Sequence, residues 1–380
     1  MIRYKWLTIL SISSLAIVFL YLADSKLTLI ENIMSDDKSV SKKCICIYKG
    51  QTYDFCYHIP HDKSVEGKRF DCNFASDLDG LGLLSPTNLI DLGSQVMPQP
   101  AFISALSESH YKEGLTMLAN FRAVFPHQKI FIYDLGLKPE SRKDIESKCL
   151  VEMRTFPFDR FRANLRNLPE CRWKAILIAT TAKEFGAVWY MDTSIRWMKD
   201  VRSLVYNAYA NSRKNGVELP SAVMFHLHVN RSTYVTTHPE TYTFIPTNMR
   251  EIKKKSCLHA LAGFMFFIRT ADAIEILKWY VLCSFEQNCM APSGAKVSCD
   301  YIRDPYNQYA NCHRFDQSVV NLLLANAYRC NVSNYLSDIG KGAKVIHNED
   351  HSLTEIDFAC PYREVTVRNC FCLLWKAFSL

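Results

Sequence analysis

Ala187-Val188-Trp189-Tyr190-Met191-Asp192-Thr193-Ser194 is an apolar run that stops abruptly on a carboxylate, with a hydroxyl two residues later. Five apolar residues between Gly186 and Asp192 have the length of a fully buried strand. In an open α/β sheet, ligands bind in the crevice at the carboxyl ends of the strands, so Asp192 is positioned to meet substrate or metal rather than the core. The competing reading is that Asp192 caps a turn or the next helix, for which Lys199 to Asn211 is a candidate.

The neighbouring sequence decides in favour of such a sheet. Ala101 to Leu106, Ile130 to Tyr133 and Val151 to Phe156 read as strands. Between them lie a helical stripe over His110 to Val124 and a helix start at Pro139. Trp173 to Glu184 reads as the helix that feeds the Asp192 strand, with Gly186 as its stop. Further on, Ala222 to Val229 and Leu261 to Ile268 read as strands, Asp272 to Ser284 and Asp316 to Tyr328 as helices, and Lys344 to Ile346 as a last short strand before His347. This alternation predicts an α/β domain with a mostly parallel sheet and helices on both faces, spanning residues 98–350.

The flanks point to a compartment. Residues 6–23 carry no charge and span roughly 27 Å as a helix, enough for a thin bilayer. Arg3 and Lys5 precede them, so residues 1–5 are expected in the cytosol and the rest across the membrane, a type II signal anchor. A cleaved signal peptide is the rival, against which Tyr21 is bulky for a cleavage site before Asp24. Residues 24–43 read as a polar stalk, 44–97 as a small Cys-rich module held by disulfides and by docking on the main domain, and 351–380 as a Cys-containing extension.

The 15 cysteines suit an oxidising lumen or the cell exterior. Their spacings, such as Cys44-Ile45-Cys46 and Cys370-Phe371-Cys372, do not fit zinc sites, and an odd total leaves at least one thiol free or paired between chains. Asn230-Arg231-Ser232 and Asn331-Val332-Ser333 are glycosylation sequons consistent with that setting. So short an apolar span suits the thinner membranes of the early secretory pathway, Golgi or ER, with the cell surface or secretion as alternatives. The net charge of +7 is dispersed, and the Lys253-Lys254-Lys255 run reads as a solvated loop rather than a nucleic-acid patch. An excess of positive charge also suits anionic substrates such as nucleotide sugars. There is no Gly-rich phosphate loop, no Ser elbow and no G-x-G-x-x-G, which excludes P-loop, α/β-hydrolase and dinucleotide-binding readings.

In this order, the features resemble a GT-A glycosyltransferase, the nucleotide-diphosphosugar transferase fold. Over roughly residues 44–350 the chain also resembles an uncharacterised animal family of single-pass membrane proteins, sharing the Cys-rich lead-in, Tyr133-Asp134-Leu135-Gly136-Leu137, Trp173-Lys174 and Asp192-Thr193-Ser194-Ile195-Arg196. The GT-A likeness implies a strand-end Asp-any-Asp motif holding Mn²⁺ or Mg²⁺ against a nucleotide-sugar diphosphate. Asp192 matches its first acid, and Ser194 stands where the second would be, a neutral and weaker ligand. His347 is the residue that the likeness offers to complete the metal set.

The same likeness implies that Asp316, ahead of Gln317 and Asn321, faces an acceptor and serves as general base if transfer inverts. The sequence does not choose between inversion and retention, and a helix-start acid is accounted for equally by capping. Lys174 is a candidate point charge for the diphosphate or a solvated helix residue. Gly263 permits a close approach by sugar or by a neighbouring strand. Ser104 and Asp134 end strands on the rim where base and ribose would lie, though both also suit turns. Three functions remain: a lumenal glycosyltransferase acting on a glycan, protein or lipid acceptor, a catalytically silent GT-A-like binding domain, and a Cys-rich surface structural protein. Oligomeric state is left open.

Overall fold

The computed structural model describes residues 41–337, 339–347 and 352–360. The predicted tail, anchor and most of the stalk lie outside the described residues, as do Cys370 and Cys372. Among the described residues no helix is long and apolar enough to cross a membrane. The chain divides into two compact units, Met1–Ile45 and Cys46–Leu380. In the first, only a short turn, Lys42–Cys44, and the start of a strand are described.

The second unit is built on a six-stranded sheet. Its strands are β1 (Ala101–Leu106), β2 (Ile130–Asp134), β3 (Val151–Thr155), β4 (Ala187–Met191), β6 (Val223–Phe225) and β9 (Phe264–Ile268), in the order β6-β9-β4-β1-β2-β3. β1, β2, β3 and β4 are parallel, and β9 runs antiparallel to both β4 and β6. The chain moves outward from β1 to β3, then returns to lay β4 on the other side of β1. The order therefore reverses between β1 and β4, and their carboxyl ends open on that switch point.

Helices cover both faces. Trp189 in β4 packs with Phe102 and Phe266 on one face, under Phe121 of α1 (Tyr111–Val124), Phe125 just past its end and Tyr206 of α4 (Arg202–Asn215). On the other face lies α3 (Arg172–Phe185), whose Phe185 meets Phe131 of β2 and whose Lys174 lies over the Tyr190 ring. Behind α3 pack α5 (Ala271–Phe285) and α6 (Asp316–Tyr328), while α2 (Pro139–Glu146) joins β2 to β3. All five residues of β4 are buried, as a continuous apolar run in a sheet covered on both faces should be.

Two expected strands are each divided. The run from Ala222 to Val229 breaks after Phe225 and resumes as β7 (His228–Ser232); Leu261 to Ile268 begins only at Phe264, with β8 (Leu258–Ala260) before it. β7 and β8 pair as an antiparallel ribbon with an irregularity between Val229 and Ser232, so they extend the β6 and β9 ends beyond the rim that carries Asp192. A short strand missed by pattern reading, β5 (Ile195–Trp197), pairs with β10 (Ala343–Val345). Three residues are too few to show a period.

The lead-in docks on the core through aromatic contacts. Phe70 meets Phe244 and Trp279, Tyr57 meets Trp279 edge-on, and Phe74 meets Phe285. Disulfides join Cys46–Cys72, Cys149–Cys360, Cys257–Cys330, Cys283–Cys289 and Cys299–Cys312, and Cys171 is a free thiol. Asn230 and Asn331 are both exposed, which a glycan requires.

Candidate functional site

Asp192 follows β4 directly, at the switch point. Its backbone N–H donates to Gly263 O at 2.7 Å, tying the end of β4 to the residue before β9. A methyl group at position 263 would stand 2.8 Å from Asp192 Oδ2, so only glycine lets the strand approach this carboxylate. The carboxylate does not cap a helix: α4 starts ten residues on, and its first amide, Arg202 N–H, is taken by Asp200. The Tyr190 hydroxyl donates to Asp192 Oδ1, and Lys174 Nζ lies 3.3 Å from the same oxygen.

Lys174 is the hub of this rim. Its ammonium also lies 2.8 Å from Asp316 Oδ2; the lysine side chain is 4% exposed, Asp316 8% and Asp192 35%. Burial alone would favour neutral lysine, but the two carboxylates outweigh it and hold the ammonium well above its usual range. Burial pushes the Asp316 carboxyl upward, against the pull of Lys174. The lysine is thus committed to both acids, and it acts on any ligand through them rather than as an open charge. Of the three, Asp192 alone presents a substantial edge to solvent.

Gln317 and Asn321, on the first turns of α6, reach the segment between β8 and β9. Asn321 exchanges two hydrogen bonds of 2.9 Å with the backbone of Ala260, and Gln317 Oε1 accepts from Ala262 N–H. The α6 start, the β9 start and Asp192 are thereby fixed to one another.

Thr193 and Ser194 are buried at the turn into β5, where Arg196 donates to the Thr193 carbonyl at 2.6 Å. The Thr193 hydroxyl donates to Glu113 in the first turn of α1, and the other oxygen of Glu113 lies 3.3 Å from His347 Nδ1. Pairing of β10 with β5, continued by Ile346 N–H to Ser194 O, carries His347 to this place. Glu113 was not singled out from sequence; a Glu in a first helical turn looks like ordinary complementation of the helix dipole.

Ser104 lies beneath the rim. It is fully buried and donates to Met191 O at 2.7 Å, bracing the end of β4 from β1 rather than offering its hydroxyl to a ligand. Asp134 organises its own turn: Oδ1 accepts from Gly136 and Leu137 N–H, and Oδ2 pairs with Arg142 at 2.7 Å. Burial raises its carboxyl pKa, but these amides and the guanidinium outweigh that and hold it below the ordinary range. Asp134 also borders an open cleft of roughly 310 Å³ at the β2 and β3 ends, with Phe156, Phe158, Asp159 and Arg166.

For a divalent cation, Asp192 has the exposed carboxylate edge that a hard ion needs when it draws its remaining ligands from phosphate oxygens and water. Ser194 adds no charge, and His347 and Glu113 supply donor types that Mn²⁺ accepts. These donor types fit such an ion, but among the described residues Asp192 belongs to no gathered group of three His, Cys, Asp or Glu ligands, and His347 lies against Glu113.

A family model described as "Protein of unknown function (DUF1647)" matches residues 43–179. No curated protein sequence matches the chain. Among solved structures, mouse xyloside xylosyltransferase 1 is similar at 13% identity and a TM-score of 0.36, over 61% of this chain and 83% of that one. The galactosyltransferase LgtC, solved with donor and acceptor sugar analogues, is similar at 11% identity and a TM-score of 0.30, over 59% and 70%. The bifunctional glycosyltransferase WbbM is similar at 10% identity and a TM-score of 0.36, over 60% of this chain and only 37% of its own length. At these scores the likeness is too loose to transfer a site or an activity.

Proposed function

We propose that this protein is a glycosyltransferase that moves a sugar from a nucleotide-sugar donor to a glycan, protein or lipid acceptor. The observation that carries the reading is the partly exposed carboxylate of Asp192 at the carboxyl end of β4, beside the switch point of the sheet. In this reading the nucleotide lies over the β1 to β3 ends, along the cleft bordered by Asp134. Mn²⁺ or Mg²⁺ would be held by Asp192 with help from Ser194 and His347. When bound, the ion neutralises the diphosphate leaving group.

The chain's own residues have distinct parts. Lys174 stands between the two acids and holds them in place. Gly263 clears the space at Asp192, and Asp316 takes the acceptor side, where the upward push of burial on its pKa would make it a stronger base. The expected setting is lumenal: a type II anchor over residues 6–23, Golgi or ER membranes, and glycans at Asn230 and Asn331.

Calorimetric titration of the purified protein with UDP and GDP, with and without Mn²⁺, tests the reading. Metal-dependent binding to one nucleotide is expected, weakened at least tenfold in Asp192→Asn, the order expected for losing a charge-assisted ligand contact. A folded wild-type protein that binds neither nucleotide would overturn it and turn attention to a silent binding domain.

A further inference from the structure

Arg231 and Arg314 on this face meet no counter-charge among the described residues. Arg231 sits in the irregular part of β7 opposite β8, and Arg314 lies two residues before Asp316. Both side chains are half-buried, and the Nε of each is buried without a hydrogen-bond partner. Among the described residues neither guanidinium has an ion pair. The acids of the adjoining loop are engaged elsewhere: Asp304 accepts from Tyr306 N–H, Asn307 N–H and the Asn307 amide, and Asp300 binds Lys296 and Asn311.

The backbone brings the two together. Arg314 N–H donates to Thr236 O at 3.2 Å, at the end of the turn Thr233–Thr236 that follows β7. Fully buried His259 of β8 links the same two segments, its ring nitrogens against Thr233 and Gln317. Burial first, then the charges of Arg231 and Arg314, hold this imidazole well below its ordinary range, so it adds no positive charge. Lys253, over the Tyr234 ring at 4.1 Å, brings a further cation to the same turn. Phe315, between Arg314 and Asp316, holds φ 43°, ψ −117°, a conformation costly for a bulky residue and of the kind found where a site must be held in place.

Two unneutralised guanidiniums in a half-buried place repel one another, and an anion that joins them relieves the repulsion. We infer that Arg231 and Arg314 form a pocket for an oxyanion, a phosphate, sulfate or carboxylate, carried by the acceptor. Planar guanidiniums match such groups with paired N–H donors. The pocket stands on the β7 and β8 ribbon, on the far side of β4 from β1 to β3, and is tied through Gln317 to the helix that starts with Asp316. Its assignment to the acceptor rests on the transfer reading above; the pocket itself does not.

Inorganic phosphate and sulfate are the probes, with thermal unfolding and calorimetry on the wild type, Arg231→Gln, Arg314→Gln and Asp192→Asn. Millimolar phosphate is expected to bind and raise the wild-type melting temperature, with affinity falling roughly tenfold or more in either Arg variant and unchanged in Asp192→Asn. Without phosphate, each Arg variant should melt at or above the wild type, because a repulsion has been removed; this separates lost binding from lost folding. Phosphate binding that is absent, or equal in all four proteins, overturns the pocket. UDP affinity should be untouched by the Arg variants; a loss parallel to that of phosphate would assign the pocket to the donor diphosphate and overturn the acceptor assignment. If phosphate binds as expected and UDP binds nowhere, the pocket stands and the transfer reading fails by itself.

Discussion

Lys174 sets the charge balance of the rim. Removing its ammonium would leave Asp192 and Asp316 facing each other with nothing between them, one of them almost wholly buried. Breaking a buried ion pair in this way costs about 3–5 kcal/mol. Lys174→Met is therefore expected to lose that much stability in urea unfolding, and adding Asp316→Asn should restore part of it; a loss below about 1 kcal/mol would contradict the buried triad. Sequence reading found all three residues, because a strand-end acid, a helix-start acid and a lysine near a helix start each have a recognisable place. It did not find their mutual contact, since a lysine on a helix looks solvated until the fold shows which face is covered. Arg231 and Arg314 were invisible for a stronger reason: 83 positions separate them, and only the ribbon brings them together.

Strands and helices were legible where the apolar period was long. β1 was located to the residue, and the helices at Tyr111, Pro139, Ala271 and Asp316 within a position or so. The direction of β9 was not legible, because an apolar run has the same pattern read either way and its neighbour β8 lies before it with no helix between. The breaks at His226 and Gly263 were missed because one polar or small residue does not interrupt an apolar average. His226 repays a closer look: it is buried at the end of β6, stacked on Trp189 at 4.7 Å, and burial lowers its pKa to about 3. His313 is lowered to about 3 by the same cause, and His259 is also lowered. Unfolded histidines take up protons near pH 6.5 and these folded ones do not, so the stability they contribute is full above 6.5 and is lost as pH falls toward 3. Denaturant unfolding should show a drop between pH 7 and 5, above the carboxylate range, of about 1 kcal/mol per histidine or more. His226→Gln should flatten that slope, and equal stability at the two pH values would contradict the neutral buried state.

At the scale of the whole molecule, the segment after the rim returns to the far edge of the sheet. Cys360 joins Cys149, just before β3, across a sequence separation of 211, and Lys148 pairs with Glu355 at 3.0 Å beside Phe358. Closing so long a loop restricts the unfolded chain by up to about 5 kcal/mol on the chain-entropy model. The double variant Cys149→Ser, Cys360→Ser is expected to unfold at clearly lower temperature and to release the 352–360 segment to proteases; an unchanged melting temperature would contradict the clamp. The separation also bears on how the protein is made. Cys283 and Cys289 emerge from the ribosome almost together and can pair at once, whereas the Cys149 thiol must wait through 211 further residues, with Cys171 and Cys257 appearing before its partner. Wrong pairings are open to it throughout that interval, so correct assembly of this edge depends on thiol exchange once Cys360 has appeared, and the reduced protein refolded without disulfide isomerase should first accumulate chains misbonded at this cysteine.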